Sequence, residues 1–348
     1  MIFASDNWAG AAPQVVDAVA REAATRGNAY GESPLDRAVE ARFSEIFERD
    51  VAVFFVATGS AANALALASV NRPGGAVFCH RESHIVEDEC GGVEYLTGGA
   101  RLVGIDGPAG KLEPQALAAA IDRFPPGNVH SGQPMAVSIT QQTEAGTAYS
   151  PDEVRAIAAV AKDRDLPLHM DGARFANALV HSGVSPADMT WRAGGDILSF
   201  GGTKNGCFGA EALVFFDPGK ARDAPYLRKR AGQLFSKSRF IAAQFDAYLR
   251  DGLWLDLARH ANGMAEGLRE GLDRSNRARQ AWPTAGNEVF AVLSRPDAAR
   301  LRSAGAVFYE WPAPHGVAVH DGEVLVRLVA SFATQPAEVD RFLAELAG

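Results

Sequence analysis

Short apolar runs alternate with longer stretches of helical period along most of this chain. The runs at 51–56, 76–79, 135–140, 166–170, 197–200 and 212–216 read as buried strands. Between them, 13–26, 35–48, 59–70, 112–124, 151–163 and 175–180 carry helical spacing or strong helix formers. A long amphipathic stretch covers 240–272. Strand-like runs at 288–292, 306–309 and 324–329 and a closing helix at 336–347 follow it. Strands alternating with helices predict an α/β layer with a mostly parallel sheet. One window, 51–70, has no charged residue and the length of a membrane span. Thr58-Gly59-Ser60 interrupts it and Asn63 follows, so a buried strand running into a buried helix is the reading.

Composition narrows the class. With 348 residues, 47% of them apolar and 22% charged, the chain suits a large domain plus a smaller one. A net charge of −8 and a pI near 5.5 argue against a nucleic-acid surface. Cys79, Cys90 and Cys207 have neither metal spacing nor an even framework, which fits a reducing compartment, and no metal site is expected. The N-terminus lacks the basic-then-apolar pattern of a signal peptide, so a cytoplasmic protein without membrane or nucleic-acid partners is expected.

The chain is short of lysine: Lys111, Lys162, Lys204, Lys220, Lys229 and Lys237 are all it has. Only Lys204 follows a buried-strand pattern, in Ser199-Phe200-Gly201-Gly202-Thr203-Lys204-Asn205-Gly206, with small residues beside it. Lysine can act as a nucleophilic amine, whereas arginine stays protonated. Asp171 stands at the end of the strand at 166–170, and ligands of open α/β sheets bind at the carboxyl ends of strands. A strand-end carboxylate with a loop lysine suits pyridoxal phosphate, the lysine holding its aldehyde and the aspartate its ring nitrogen. Thr58-Gly59-Ser60 opens a helix after a strand, an anion-binding arrangement; alone Ser60 could be a simple N-cap, but with Lys204 and Asp171 downstream Gly59 and Ser60 are assigned to the phosphate.

Taken in order, Ser5-Asp6-Asn7, Thr58-Gly59-Ser60, His84, Asp171-Gly172-Ala173-Arg174, Lys204 and Arg327 resemble the motifs of the low-specificity L-threonine aldolases. These belong to the fold-type-I pyridoxal-phosphate enzymes of the aspartate aminotransferase superfamily. The resemblance implies a seven-stranded sheet in a large domain, 1–250, with the N-terminal segment reaching the site. A small α+β domain, 251–348, and a homo-oligomer, a dimer or tetramer with sites at the subunit interface, are implied with it. It implies Lys204, His84 and Asp171 as catalytic residues, with Gly59, Ser60, His84, Asp171, Thr203 and Lys204 against the cofactor. Ser5, Arg174 and Arg327 are implied on the substrate carboxylate.

The implied reaction is retro-aldol cleavage of L-threonine and related β-hydroxy-α-amino acids to glycine and an aldehyde. His84, or a water it orients, would take the hydroxyl proton. A β-eliminating lyase and a non-catalytic cofactor-binding regulator are the alternatives. Other positions stay open: Asn7 where the family has threonine; Tyr30, a packing or a site residue; Glu87, which would orient His84 or serve structure; His130 in a loop. Lys229 and Lys237 lie in a basic segment, 226–239, that reads as a solvated helical face and that in the family crosses to a neighbouring subunit. The 141–147 loop departs from the family's Asn-Thr-His pattern, which leaves its contacts with the site in doubt.

Overall fold

The computed structural model describes residues 1–314 and 317–348. Seven strands form the larger sheet: β1 (Ala52–Val56), β2 (Gly75–His80), β3 (Arg101–Ile105), β4 (Gln133–Thr140), β5 (Leu168–Gly172), β6 (Ile197–Gly201) and β7 (Glu211–Phe215). Their order is β1-β7-β6-β5-β4-β2-β3. Neighbours from β3 to β6 run parallel, and β7 is antiparallel to both β6 and β1. The sheet is therefore mostly parallel, as the pattern predicts. β3 has no counterpart among the predicted strands: it sits at an edge, its first residue is exposed, and Gly104 interrupts its apolar run.

The directions of the strands place the site. β1, β2, β4, β5 and β6 all end at one edge of the sheet, and antiparallel β7 begins there. Register makes this concrete: Thr140 pairs with Asp171, Asp171 with Ser199, Gly201 with Glu211, and Glu211 with Val56. Segments emerging from these ends must meet, although they are separated widely in sequence.

The sheet is buried on both faces, so β2, β5, β6 and β7 are buried at every position rather than at alternate ones. One face packs on an aromatic cluster in which Phe43 meets Phe200 at 5.1 Å and Phe245 at 5.4 Å, both edge to face. The other face takes the helix Gly59–Ser69, whose small residues let it lie close. A second, four-stranded antiparallel sheet follows: β8 (Ala278–Gln280), β9 (Glu288–Ser294), β10 (Tyr309–Glu310) and β11 (Glu323–Val329), in the order β10-β11-β9-β8. It has its own core of Leu268, Val289, Val326, Phe342 and their neighbours. Phe3 packs into this core, while the helix Leu253–Arg274 gives Trp254 to the first core and Leu268 to the second.

Three predicted elements change. The stretch at 240–272 is two helices, Arg239–Leu249 and Leu253–Arg274, split where Asp251 and Gly252 take φ of +52° and +76°. The basic segment is not one helix: Ala224–Arg230 ends, and Lys237 lies in the turns beyond it. The strand at 306–309 shortens to Tyr309–Glu310, because Val307 bonds instead to the N-terminal segment, receiving the Phe3 N–H at 2.8 Å. Among the described residues no helix is long and apolar enough to cross a membrane, and 51–70 forms β1 and the helix after it.

Phe43 is fully buried among four aromatic rings. Phe43→Ala should lower the unfolding free energy by about 3–5 kcal/mol, read from the shift of a urea unfolding midpoint.

Candidate active site

At the shared strand edge lies a cavity of about 280 Å³. It brings together Gly59, Ser60, His84, Asp171, Arg174, Thr203 and Lys204, all named from sequence. Lys204 follows β6 in a single 3-10 turn, Thr203–Asn205, and is half-buried. That turn is pinned from below: Asn205 donates to Tyr248 Oη at 2.7 Å and to the Trp254 carbonyl at 2.8 Å. Gly201 and Gly202 leave no room for a side chain; a Cβ on Gly201 would lie 2.6 Å from the Ala173 carbonyl oxygen.

The helix Gly59–Ser69 points its N-terminus at the cavity. Thr58, not Ser60, is its cap and accepts the Ala61 N–H at 3.2 Å. The N–H groups of Gly59 and Ser60 thus open the first turn, where helix geometry supplies them no carbonyl. The space a Cβ on Gly59 would enter is open. These are the features of an anion seat.

Asp171 is buried. Its Oδ1 accepts the Ala173 N–H at 3.0 Å, and its Oδ2 accepts from Asn63 Nδ2 at 2.7 Å. The same Asn63 amide donates to Glu89 Oε1 at 2.8 Å, and that oxygen also contacts His84 Nδ1 at 2.9 Å. A continuous line therefore joins His84, Glu89, Asn63 and Asp171. Glu89, not Glu87, fixes the imidazole; Glu87 is exposed. This hydrogen bond holds the His84 pKa above its ordinary value, against burial and the charge of Lys204, and the Asp171 charge adds to it.

The loop after β4, whose contacts the sequence left in doubt, supplies two lining side chains. Gln142 donates to Glu288 Oε2 at 3.1 Å. Glu144 Oε1 accepts the His84 backbone N–H at 2.7 Å and the Thr140 hydroxyl at 2.9 Å. Burial and the neighbouring Asp171 charge raise the Glu144 carboxyl to about 7. Glu211, opening β7, accepts the Thr203 N–H at 3.3 Å; burial lifts it to about 7 although Lys204 pulls the other way.

The predicted carboxylate-binding residues are placed differently. Ser5 does not line the cavity; its Oγ accepts the Asn7 N–H at 3.1 Å and caps a short 3-10 turn, while Asn7 itself lines the cavity. Arg174 lines it, held by Asp6 in a two-point contact at 2.7 and 3.0 Å, with Glu288 at 3.6 Å from its guanidinium. Burial alone would raise Asp6, but Arg174 and Lys204 together hold it below the usual carboxylate range. Arg327 stands behind, outside the lining, 3.9 Å from Glu288 and stacked on Trp311 at 4.2 Å. The two arginines thus meet across Glu288.

His130 is exposed and precedes β4 at the end away from the cavity, roughly 26 Å off for a strand of that length. Tyr30 is exposed with the Lys229 ammonium 5.3 Å from its ring centre, and neither it nor Lys237 lines the cavity. Asn63, Glu89, Glu144, Glu211, Asp6 and Glu288 were not singled out from sequence. Asn63 had a signal, being the one polar side chain in the run 61–68.

The residues fit pyridoxal phosphate: an amine, an anion seat and a buried carboxylate share one cavity. Asn63 Oδ1, Gln142 Oε1 and Glu144 Oε2 are buried there without hydrogen-bond partners among the described residues.

Replacing Glu89 by Gln should lower the His84 pKa, because an anionic acceptor is exchanged for a neutral one. A histidine NMR titration of the two proteins reads this directly; an unmoved midpoint would show that Glu89 does not hold the imidazole.

Comparison with known proteins agrees. The sequence profile of the family described as beta-eliminating lyase matches residues 3–295. A low-specificity L-threonine aldolase of Pseudomonas aeruginosa is 42% identical over 308 residues, covering 88% of each chain. One from a Pseudomonas species is 38% identical over 345 residues, 99% of this chain and 96% of that one. A solved Leishmania major threonine aldolase superposes with a TM-score of 0.92 at 31% identity, covering 99% of this chain and 98% of the other. The chain belongs to the beta-eliminating lyase family and, within its fold-type-I pyridoxal-phosphate enzymes, to the low-specificity L-threonine aldolases.

Proposed function

We propose that this protein cleaves L-threonine, L-allo-threonine and related β-hydroxy-α-amino acids to glycine and an aldehyde, with pyridoxal phosphate as cofactor. The observation that carries the reading is the meeting of Lys204, Asp171 and the Gly59–Ser60 helix start in one cavity. When bound, the cofactor supplies an electron sink for the pair released at Cα.

The chain's own residues have four tasks in this reading. Lys204 would hold the cofactor, Thr203 would lie beside it, and Gly59 and Ser60 would receive its phosphate. Asp171, kept buried and bonded by Asn63, would hold a proton on its ring nitrogen. Arg174 and Arg327 would hold the substrate carboxylate, which orients the Cα–Cβ bond. Because Asp6 and Glu288 already engage Arg174, the substrate shares that guanidinium rather than meeting a free one. Ser5 would act through the turn it caps. Removal of the hydroxyl proton falls to the wall where His84 stands.

The proposal keeps 1–250 as the larger, cofactor-binding unit and 251–348 as the smaller one. It includes a homo-oligomer, a dimer or tetramer, supported by the exposed Trp8, Tyr30, Tyr226 and Phe235. A cytoplasmic location is part of it, supported by three cysteines that form no disulfide.

Purified protein with pyridoxal phosphate should release glycine and acetaldehyde from L-threonine in equal amounts, and Lys204→Ala should abolish release. Pyruvate from L-serine without glycine would assign an eliminating lyase instead; cofactor binding with neither product would leave a non-catalytic binder.

A further inference from the structure

We propose that Glu144 is a catalytic residue that takes the β-hydroxyl proton at its Oε2, with His84 as the neighbouring hydrogen-bond donor. The assignment rests on the cleavage reading above and specifies its proton-transfer step.

Three observations carry it. Glu144 lines the same cavity as His84, Asp171 and Lys204. Its Oε1 is already committed to two donors, the His84 N–H and the Thr140 hydroxyl. Both need that oxygen as an acceptor, so a proton on this carboxyl sits on Oε2. Oε2 is buried and has no hydrogen-bond partner among the described residues. A desolvated carboxylate oxygen without a partner is costly, and a ligand hydroxyl relieves that cost.

The two neighbours are also tuned in a complementary way. The Glu89 bond keeps the His84 ring protonated to higher pH than an ordinary histidine, which makes it a donor. Burial and Asp171 lift Glu144 to about 7, which makes it a stronger base than an ordinary carboxylate while leaving it ionised in part near neutrality. The charges and titratable groups facing it are Asp171 within β5, Arg174 beyond it, His84 after β2, Cys79 within β2, Tyr149 after the loop, and Lys204 across the cavity.

The step balances. The hydroxyl O–H breaks and its proton goes to Glu144 Oε2. The O–H pair becomes the second bond of the aldehyde carbonyl. The Cα–Cβ bond breaks, its pair stays with Cα, and one proton returns to Cα as glycine forms, so none is gained or lost overall.

Glu144→Gln tests this with little disturbance, since the amide oxygen still accepts from His84 and Thr140. With holoenzyme and L-threonine, kcat should fall by about 10²–10⁴-fold. Exchange of the glycine α-proton in D2O, which involves no β-hydroxyl, should continue at a rate comparable to wild type. In cofactor-free protein, the wild-type-minus-variant infrared spectrum should show a protonated carboxylic acid that ionises near neutrality. Equal loss of cleavage and glycine exchange would make Glu144 a structural support and overturn the assignment, as would unchanged cleavage. Wild-type protein that exchanges glycine but cleaves no threonine would overturn the cleavage reading and this assignment with it.

Discussion

The amide of Asn63 is the contact on which the site depends. Its two N–H bonds reach Asp171 and Glu89, two buried carboxyl groups that would otherwise face each other across a poorly solvated space. An amide there separates like charges and satisfies an oxygen of each. It also sets the direction of the imidazole, because the Glu89 oxygen it holds is the one His84 contacts. One side chain on a helix thereby ties the strand-end carboxyl to the histidine wall. The helix can present it because Thr58 caps the first turn and small residues bring the helix onto the sheet.

Around this line the cavity is rich in acid. Glu89, Glu144, Asp171 and Glu211 line it, with Lys204 and Arg174 as the basic side chains of the lining. Arg174 is already engaged by Asp6 and Glu288, so part of its charge is spent before any ligand arrives. Burial, with the Asp171 charge added to it, raises the Glu144 and Glu211 carboxyls to about 7. They hold protons where ordinary carboxylates would not, and the cavity avoids accumulating full negative charge. In the proposed reading a substrate carboxylate would be received at the arginine end, where Glu288 joins Arg174 to Arg327.

Much of this was legible in sequence where chemistry follows directly on a strand. Lys204 and Asp171 each close an apolar run, and Gly59-Ser60 follows one, so strand-end logic found them. The resemblance added His84 and the arginines. What stayed hidden was the partner of each group. Asn63 bonds across 108 residues to Asp171, and Arg174 across 168 to Asp6. Such contacts leave no local spacing to read, since they arise only when the sheet brings distant strand ends together. Glu89 was missed in favour of Glu87 for a local reason: four helical residues and a turn decide which carboxyl faces inward. The loop at 141–147 was set aside because it lacked a familiar pattern, although its place after β4 already put it at the functional edge.

That edge explains why Glu144 can carry a role with no motif to mark it. The loop leaves β4 at Thr140, which is paired with Asp171. Glu144, four residues on, lies close enough to Asp171 to feel its charge. Thr140 and the His84 N–H then fix one Glu144 oxygen in place, and only the other remains to meet a ligand. The residue's chemistry thus comes from three constraints: strand register brings it near Asp171, burial raises its proton affinity, and two donors choose which oxygen is free. Only the Thr140 hydroxyl is local in sequence; Asp171, the burial and the His84 backbone N–H are brought to Glu144 by the fold, so the group could be proposed only once the fold was seen.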